Sequence, residues 1–543
     1  MPKNLFDRVI IPLSGWTWVA VLIAVLVMVP VWVVLASLWS PAPEIWDHLV
    51  QYVLGVLIWN TLWLVLGVVV GVSLLGISLA WLTATCEFPG RRLFSWALLL
   101  PLSIPAYVLG FVFIGLFDFT GPVQSLWREW IGPGNFPSIR SRGGVILVMS
   151  LALYPYVYLI SRNAFLTQGR RTLEVAQSLG LSRRRAFFRL VLPMARPWIV
   201  GGLLLVVMET LADFGTVVVF NYDTFTTGIY KAWYGLFSLA AASQLASLLV
   251  LLVFSLILIE QYTRGRKHYT ASERSAREQQ RFMLSRWHRW SATLVCSSVL
   301  GVAFVLPLLQ LFVWSWAVYH EDLDWRYLSF LWHSLVLGGL AAVITAAVAL
   351  ILAYAIRQRP HRGANGLLRI ATLGYALPGP VLAVGTYIPI VALDKQLTAW
   401  LAYFGIETGM LLQGTLFTMM VAYTVRFLAV SYNPIDSNMQ RITRSLDDAA
   451  RSLGVSSFGL LKRVHIPILR GGIITGMILV FVDVMKEMPI TLMTRPFGWD
   501  TLAIRIFEMT SEGQWERAAL PAVALVVAGL VPIVLLSRLA DKT

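Results

Sequence analysis

Apolar runs long enough to cross the roughly 30 Å hydrocarbon core of a bilayer recur along the whole of this 543-residue chain. They fall near 15–39, 57–84, 93–117, 144–166, 198–220 and 237–260, and again near 291–318, 333–356, 367–394, 409–432, 471–494 and 517–537. With 58% hydrophobic and only 13% charged residues, the chain is too apolar for a water-soluble protein of its length. The fold expected is an all-α polytopic membrane protein with about twelve transmembrane helices. The first run follows Lys3 and Arg8 but exceeds the apolar core of a secretory signal, so it reads as an uncleaved helix. Two cysteines, Cys86 and Cys296, support neither a disulfide framework nor a metal cluster.

The net charge of +15 is a matter of orientation. If the amino terminus is cytoplasmic, the inward segments are those around 85–92, 161–197, 261–290, 357–369, 433–470 and the carboxyl tail. Together with the amino terminus they hold about 32 of the 43 Lys and Arg, as the positive-inside rule requires. Both termini then face the cytoplasm. The basic stretch from Arg264 through Arg289 mixes Arg with Ser, Glu and Gln and reads as a solvated linker or a helix on anionic headgroups, not as a nucleic-acid site.

The chain is also written twice. Glu174-Val-Ala-Gln-Ser-Leu-Gly180 is echoed by Asp448-Ala-Ala-Arg-Ser-Leu-Gly454, and in each copy a proline, Pro193 or Pro467, stands thirteen residues after the glycine. The offset of 274 pairs Ala176 with Ala450, Leu179 with Leu453, and Arg189 with Arg463. Trp59-Asn-Thr-Leu62 answers Trp332-His-Ser-Leu335, and Ser103-Ile-Pro105 answers Pro378-Gly-Pro380. Equivalent points lie six spans apart, an even number, so the halves enter the membrane in the same direction as two parallel six-helix repeats. The division expected is 1–260 for the first half, with a loop over 167–197, then a linker over 261–290, then 291–543 for the second half, with a loop over 433–470.

Within each loop the acid is expected to open a short helix, where its charge suits the positive amino end, and the glycine to allow a left-handed stop. The next run, Arg183 to Leu192 in the first copy, reads as a second helix ending at the loop's proline. Small residues (Ala176, Ala450) and apolar ones (Leu179, Leu453) make a compact knob for a partner's groove. The plainer alternative is an interfacial hairpin lying on lipid.

These residues resemble the cytoplasmic Glu-Ala-Ala loop of ATP-binding-cassette importer permeases, with Val175 replacing the first alanine in one copy and Asp448 the glutamate in the other. The resemblance implies that Glu174, Ala176, Leu179, Gly180 and Pro193, and Asp448, Ala449, Ala450, Leu453, Gly454 and Pro467, form two coupling helices docking on a cytoplasmic ATPase homodimer. Two copies imply a fused permease that takes substrate from a periplasmic binding protein across the bacterial inner membrane. No G-x-x-x-x-G-K-[ST] loop and no Gly-Lys dipeptide occur, so ATP hydrolysis falls to that partner, and the chain is expected to bind no cofactor.

Ionisable residues inside spans are costly and therefore candidate functional groups. Glu209 and Asp213 lie four apart, on one helical face of the fifth span, and the 274 offset carries them to Asp483 and Glu487 in the eleventh. Four carboxylates converging on the pseudo-twofold axis, with Lys486 offsetting one, give a pathway with a negative field. The alternative is a set of interhelical ion pairs, with Lys486 or Arg426, that only hold the bundle. A negative pathway suits a cation, and scarce Cys and scattered His favour a hard, oxygen-held one. Polyamines and cationic vitamins fit equally on charge alone.

Glu209-Thr-Leu-Ala-Asp-Phe-Gly-Thr216, Val484-Met-Lys-Glu-Met-Pro489 and the stretch from Thr491 to Ala503 resemble signatures of ferric-iron permeases of this importer class. The resemblance implies iron(III) as cargo in transient contact with Glu209, Asp213, Asp483 and Glu487. Thiamine, phosphonate and polyamine importers are the near alternatives, and a secondary transporter driven by an ion gradient is the rival of another class. Arg495, Trp499 and Asp500 mark an outward loop for docking the binding protein, or else a structural Pro-Gly turn.

Overall fold

A computed structural model describes residues 15–39, 43–132, 136–169, 182–264, 282–358 and 363–540. The long helices are α1 (Gly15–Ala36), α2 (Leu54–Thr85), α3 (Ala106–Phe117), α4 (Arg142–Ala164), α5 (Leu192–Ala212), α6 (Leu239–Arg264), α7 (Arg286–Asp322, including one wide turn), α8 (Trp325–Gln358), α9 (Gly379–Tyr403), α10 (Leu416–Met439), α11 (Ile466–Lys486) and α12 (Trp515–Ala540). Among the described residues nine helices are long and apolar enough to cross a membrane. The other long ones, α9, α10 and α12, carry charged residues such as Asp394, Arg426 and Arg517 within their length.

The sequence repeat is repeated in space down to single residues. α5 and α11 begin and end 274 apart, as do the four-residue helices Arg183–Ala186 and Ser457–Leu460 that precede them. Here the structure corrects one expectation: the run after each loop does not end at its proline. It passes through a wide five-residue turn into the long helix, with Leu192 N–H donating to Phe187 O and Ile466 N–H to Leu461 O. Proline lacks an N–H and its ring crowds the carbonyl four residues back. A wide turn just before Pro193 and Pro467 shifts that carbonyl aside, so the helix continues. The same device precedes Pro307 in α7.

Packing shows that the halves of the sequence are not separate bodies. One buried core combines α2 to α5 with α7 and α12, and the other combines α8 to α11 with α1 and α6. The division at 260 and 291 therefore describes the repeat but not the cores, because each half lends its first and last helix to the other. Phe282–Met283, at the exit of the linker, pairs in parallel with Cys86–Glu87 of the first half, and Thr293 Oγ1 donates to Pro89 O at 3.0 Å. Those contacts deliver α7 to the first half, where Trp314 stacks on Phe111 of α3.

Lipid tails are as apolar as leucine, so these contacts depend on close packing. Gly67 and Gly71 of α2 face Ile146 and Ser150 of α4 so closely that an added Cβ would lie 2.4 Å and 2.2 Å from side-chain atoms there. At the α1–α9 crossing, a Cβ on Gly385 would lie 2.5 Å from the backbone oxygen of Pro30. Backbone cannot step aside as a side chain can. Gly385→Val should therefore lower the melting temperature of the detergent-solubilised protein by several degrees, as overpacking of about 1–3 kcal/mol does. Gly339→Val, at an α8 position with nothing within 4 Å, should cost less; equal losses would mean that the exchanged helix is not held at this crossing.

Candidate functional site

Four helices break near the middle of the bundle, again in register. Before α3, a tight turn over Leu100–Ser103 leads to Pro105, and before α9 one over Leu373–Ala376 leads to Pro378, each proline extended at the cap. α5 stops at Ala212 and resumes as Gly215–Val219, while α11 stops at Lys486 and resumes as Pro489–Thr494. Asp213 and Glu487 are the residues in extended conformation at these two gaps. The sequence expectation of two acids on one unbroken helical face is thereby corrected: Glu209 and Asp483 lie on helices, but Asp213 and Glu487 lie just past the helix ends.

A break within lipid exposes backbone groups that need partners. Asp213 supplies them, accepting from Thr216 Oγ1 at 2.9 Å and from Val217 N at 3.1 Å, so that its carboxylate caps the following short helix. Glu487 does the same for Ile490 N at 3.2 Å. The freed carbonyls are met as well, since Thr226 Oγ1 donates to Asp213 O and Thr491 Oγ1 to Glu487 O, each at 2.7 Å.

The breaks surround a cavity of about 340 Å³ between the two halves, and all four acids line it with Lys486 and Arg426. Glu209 accepts from Tyr375 Oη at 3.2 Å, and Asp483 has no hydrogen-bond partner among the described residues. Glu487 pairs with Arg426 at 3.5 Å, and Lys486 Nζ donates to Leu102 O at 3.0 Å. Both cations belong to the second repeat. Their counterparts by the 274 offset are Ala152 and Ala212, which also line the cavity. Carboxylates are therefore duplicated and cations are not, and the excess of negative charge lies toward Glu209 and Asp213. Arg426 was visible in the sequence only as a possible ion-pair partner; a lone arginine in an apolar run was the signal that it belongs to the site.

No three His, Cys, Asp or Glu side chains among the described residues are close enough to hold a metal ion together. Asp213 and Glu487 are occupied as caps, which leaves Glu209 and Asp483 as the less committed acids.

Of the two loops, Glu174, Ala176, Leu179 and Gly180 lie outside the described residues. The second loop forms the helix Arg444–Ser452, and Asp447, not Asp448, is the acid of its first turn. Asp448 and Ala449 are exposed, Ala450 is buried, and Leu453 projects outward, 83% exposed. Gly454 takes the left-handed conformation at φ 77°. Its N–H reaches Arg451 O at 2.9 Å, and Val455 N–H reaches Ala450 O at 3.1 Å, a closed helix stop. Pro193 and Pro467 are exposed at the entrances of α5 and α11. In the loop after Thr494, Arg495 pairs with Asp500 and Glu508, and Trp499 stacks on His333 with centroids 4.6 Å apart. Arg495, Trp499 and Asp500 are thus half-buried and tied to their own chain, and Phe497 is the fully exposed tip.

Two parallel repeats of long apolar helices, broken in register around a charged central cavity and each bearing the same loop motif, define a membrane permease. The chain belongs to the family described as binding-protein-dependent transport system inner membrane component, which matches residues 72–263 and again 345–542. Over 491 residues it is 28% identical to the Fe(3+)-transport system permease protein FbpB 2 of Haemophilus influenzae, covering 89% of this chain and 90% of that one. The ferric transport system permease protein FbpB of Actinobacillus pleuropneumoniae is 25% identical over 411 residues, 71% of this chain and 57% of that one. The molybdenum transport system permease protein ModB of Escherichia coli K12 is 29% identical over 186 residues, 34% of this chain and 80% of that one.

If Asp213 is a cap, Asp213→Asn, which keeps an acceptor, should melt close to the parent protein. Asp213→Ala should lose about 1–2 kcal/mol, the usual cost of a removed cap. Thermal unfolding in detergent distinguishes them, and equal stability of the two variants would remove the capping role.

Proposed function

We propose that this chain is the permease subunit of an ATP-driven importer that moves iron(III), delivered by a periplasmic binding protein, through the central cavity by alternating access. The observation that carries the cargo is the imbalance of charge in the cavity: four carboxylates in two matched pairs, against two cations confined to one repeat. Such a lining attracts a small hard cation and repels phosphate or sulfate. The names of the relatives with the broadest matches favour iron among the cations.

The machinery follows from the same parts. A cytoplasmic ATPase homodimer engages the loops carrying Glu174, Ala176, Leu179, Gly180 and Pro193 in one half and Asp448, Ala449, Ala450, Leu453, Gly454 and Pro467 in the other. Both termini lie on that side of the bacterial inner membrane. Nucleotide-driven closure of the ATPase moves the loops, and the halves rock about their common axis. The ion passes Glu209 and Asp483, with Asp213, Lys486 and Glu487 completing the field. The braced loop of Arg495, Trp499 and Asp500 presents Phe497 to the binding protein.

The test is reconstitution in proteoliposomes with the ATPase and the binding protein, comparing iron(III), thiamine and putrescine. Iron(III) should stimulate both hydrolysis and uptake, and Glu209→Gln should reduce uptake at least tenfold while the folded yield is unchanged. Stimulation by another cargo, or uptake without the ATPase, would overturn the reading.

A further inference from the structure

On the loop side of the second repeat a second charged cluster is buried, remote in sequence from the cavity residues. Arg357, at the end of α8, donates from Nε to Asp447 Oδ2 at 2.9 Å, from Nη1 to Met439 O at 2.8 Å and from Nη2 to Ile442 O at 2.9 Å. Asp447 is the buried first-turn acid of the helix Arg444–Ser452, and its second oxygen meets His465 Nε2 at 2.8 Å. His465 closes the wide turn that leads into α11 and is fully buried. Its Nδ1 meets no hydrogen-bond partner among the described residues. Tyr354, one turn before Arg357, sets its ring edge-on to His465 and donates to the carbonyl of Ser457.

The cluster therefore clamps the exposed loop helix to three long helices at once: α8 through Arg357, α10 through its last carbonyl at Met439, and α11 through His465. Two of these rods continue to the cavity. α10 carries Arg426, thirteen residues before Met439, and α11 carries Asp483, eighteen residues after His465, spans of roughly 20 and 27 Å of helix. Burial works against the charge on Asp447, yet its bonds to Arg357 and His465 hold its carboxyl below the ordinary aspartate range. The first repeat has nothing comparable at these positions: the 274 offset carries Arg357, Asp447 and His465 to Thr83, Leu173 and Val191.

We infer that Arg357, Asp447 and His465 are positioning residues that transmit movement of the second loop helix to α10 and α11, so that the two handles of this permease are mechanically unequal. The inference rests on the reading of the chain as an ATP-driven permease, but not on its cargo. In the first repeat, close in sequence to Thr83 and Val191, Trp81, Phe165 and Phe187 pack edge-on or tilted against one another. The second handle drives a joint held by charge and hydrogen bonds.

The experiment measures cargo delivered per ATP hydrolysed, in proteoliposomes containing the ATPase and the loaded binding protein. The triple variant Arg357→Thr, Asp447→Leu, His465→Val gives the second handle the first repeat's own residues. Its delivery per ATP should fall at least fivefold while the ATPase still copurifies. If the triple variant does not fold, His465→Gln, which keeps a donor for Asp447, should hold the ratio within twofold of the parent, and His465→Leu should lower it as the triple variant does. An unchanged ratio in a folded triple variant, or the same ratio in both single variants, would overturn the inference. Absence of any ATP-dependent uptake by the parent complex would instead count against the permease reading itself.

Discussion

The structure depends on one constraint: a polypeptide that unwinds inside a bilayer must satisfy its freed backbone groups from its own side chains. Four unwound points surround the central cavity, and each repeat meets the need in the same way. Prolines that lack an N–H open one pair of breaks, while an acid followed by a short helix closes the other. The acids at the closing breaks therefore do two things. Asp213 and Glu487 hold the irregular backbone in place, and they bring negative charge to the axis. Once the breaks are fixed, Glu209 and Asp483, one turn earlier on intact helix, are presented toward the same space.

Symmetry of the backbone does not extend to the charges. The carboxylates obey the repeat, but Arg426 and Lys486 face Ala152 and Ala212 at the equivalent positions. Duplication supplies a scaffold whose two halves can rock about an axis, and divergence within it gives one wall a net field. The loop side shows the same division of labour. An identical spacing of acid, glycine and proline is kept in both copies, while Arg357, Asp447 and His465 behind the second give way to the uncharged Thr83, Leu173 and Val191 in the first.

Much of this was legible in the sequence, and what was not has physical reasons. Apolar length alone places most spans, and the 274 offset fixes the parallel arrangement, because register survives wherever packing does. The position of Gly454 in a left-handed stop follows from spacing to Asp448. The helix breaks at Asp213 and Glu487 were hidden, since acids four apart read as one face of a continuing helix and not as caps across a gap. The passage of helices through Pro193 and Pro467 was hidden too, because a wide turn leaves no mark in composition. Nor could the exchange of outer helices be read, since hydropathy tells which residues avoid water but not which neighbour they choose.

That exchange has a consequence for how the molecule comes into being. Each core lacks members until the opposite end of the chain has been made: the walls built by α2 to α5 wait for α7 and α12, and α1 waits for α8 to α11. A ribosome inserting the chain from the amino terminus must park its earliest helix in lipid while most of its partners are still to be translated. Joining both repeats in one polypeptide keeps those late partners at high effective concentration, so entwining is an intramolecular event. Were the repeats separate molecules, each would have to find and thread its mate in the plane of the membrane.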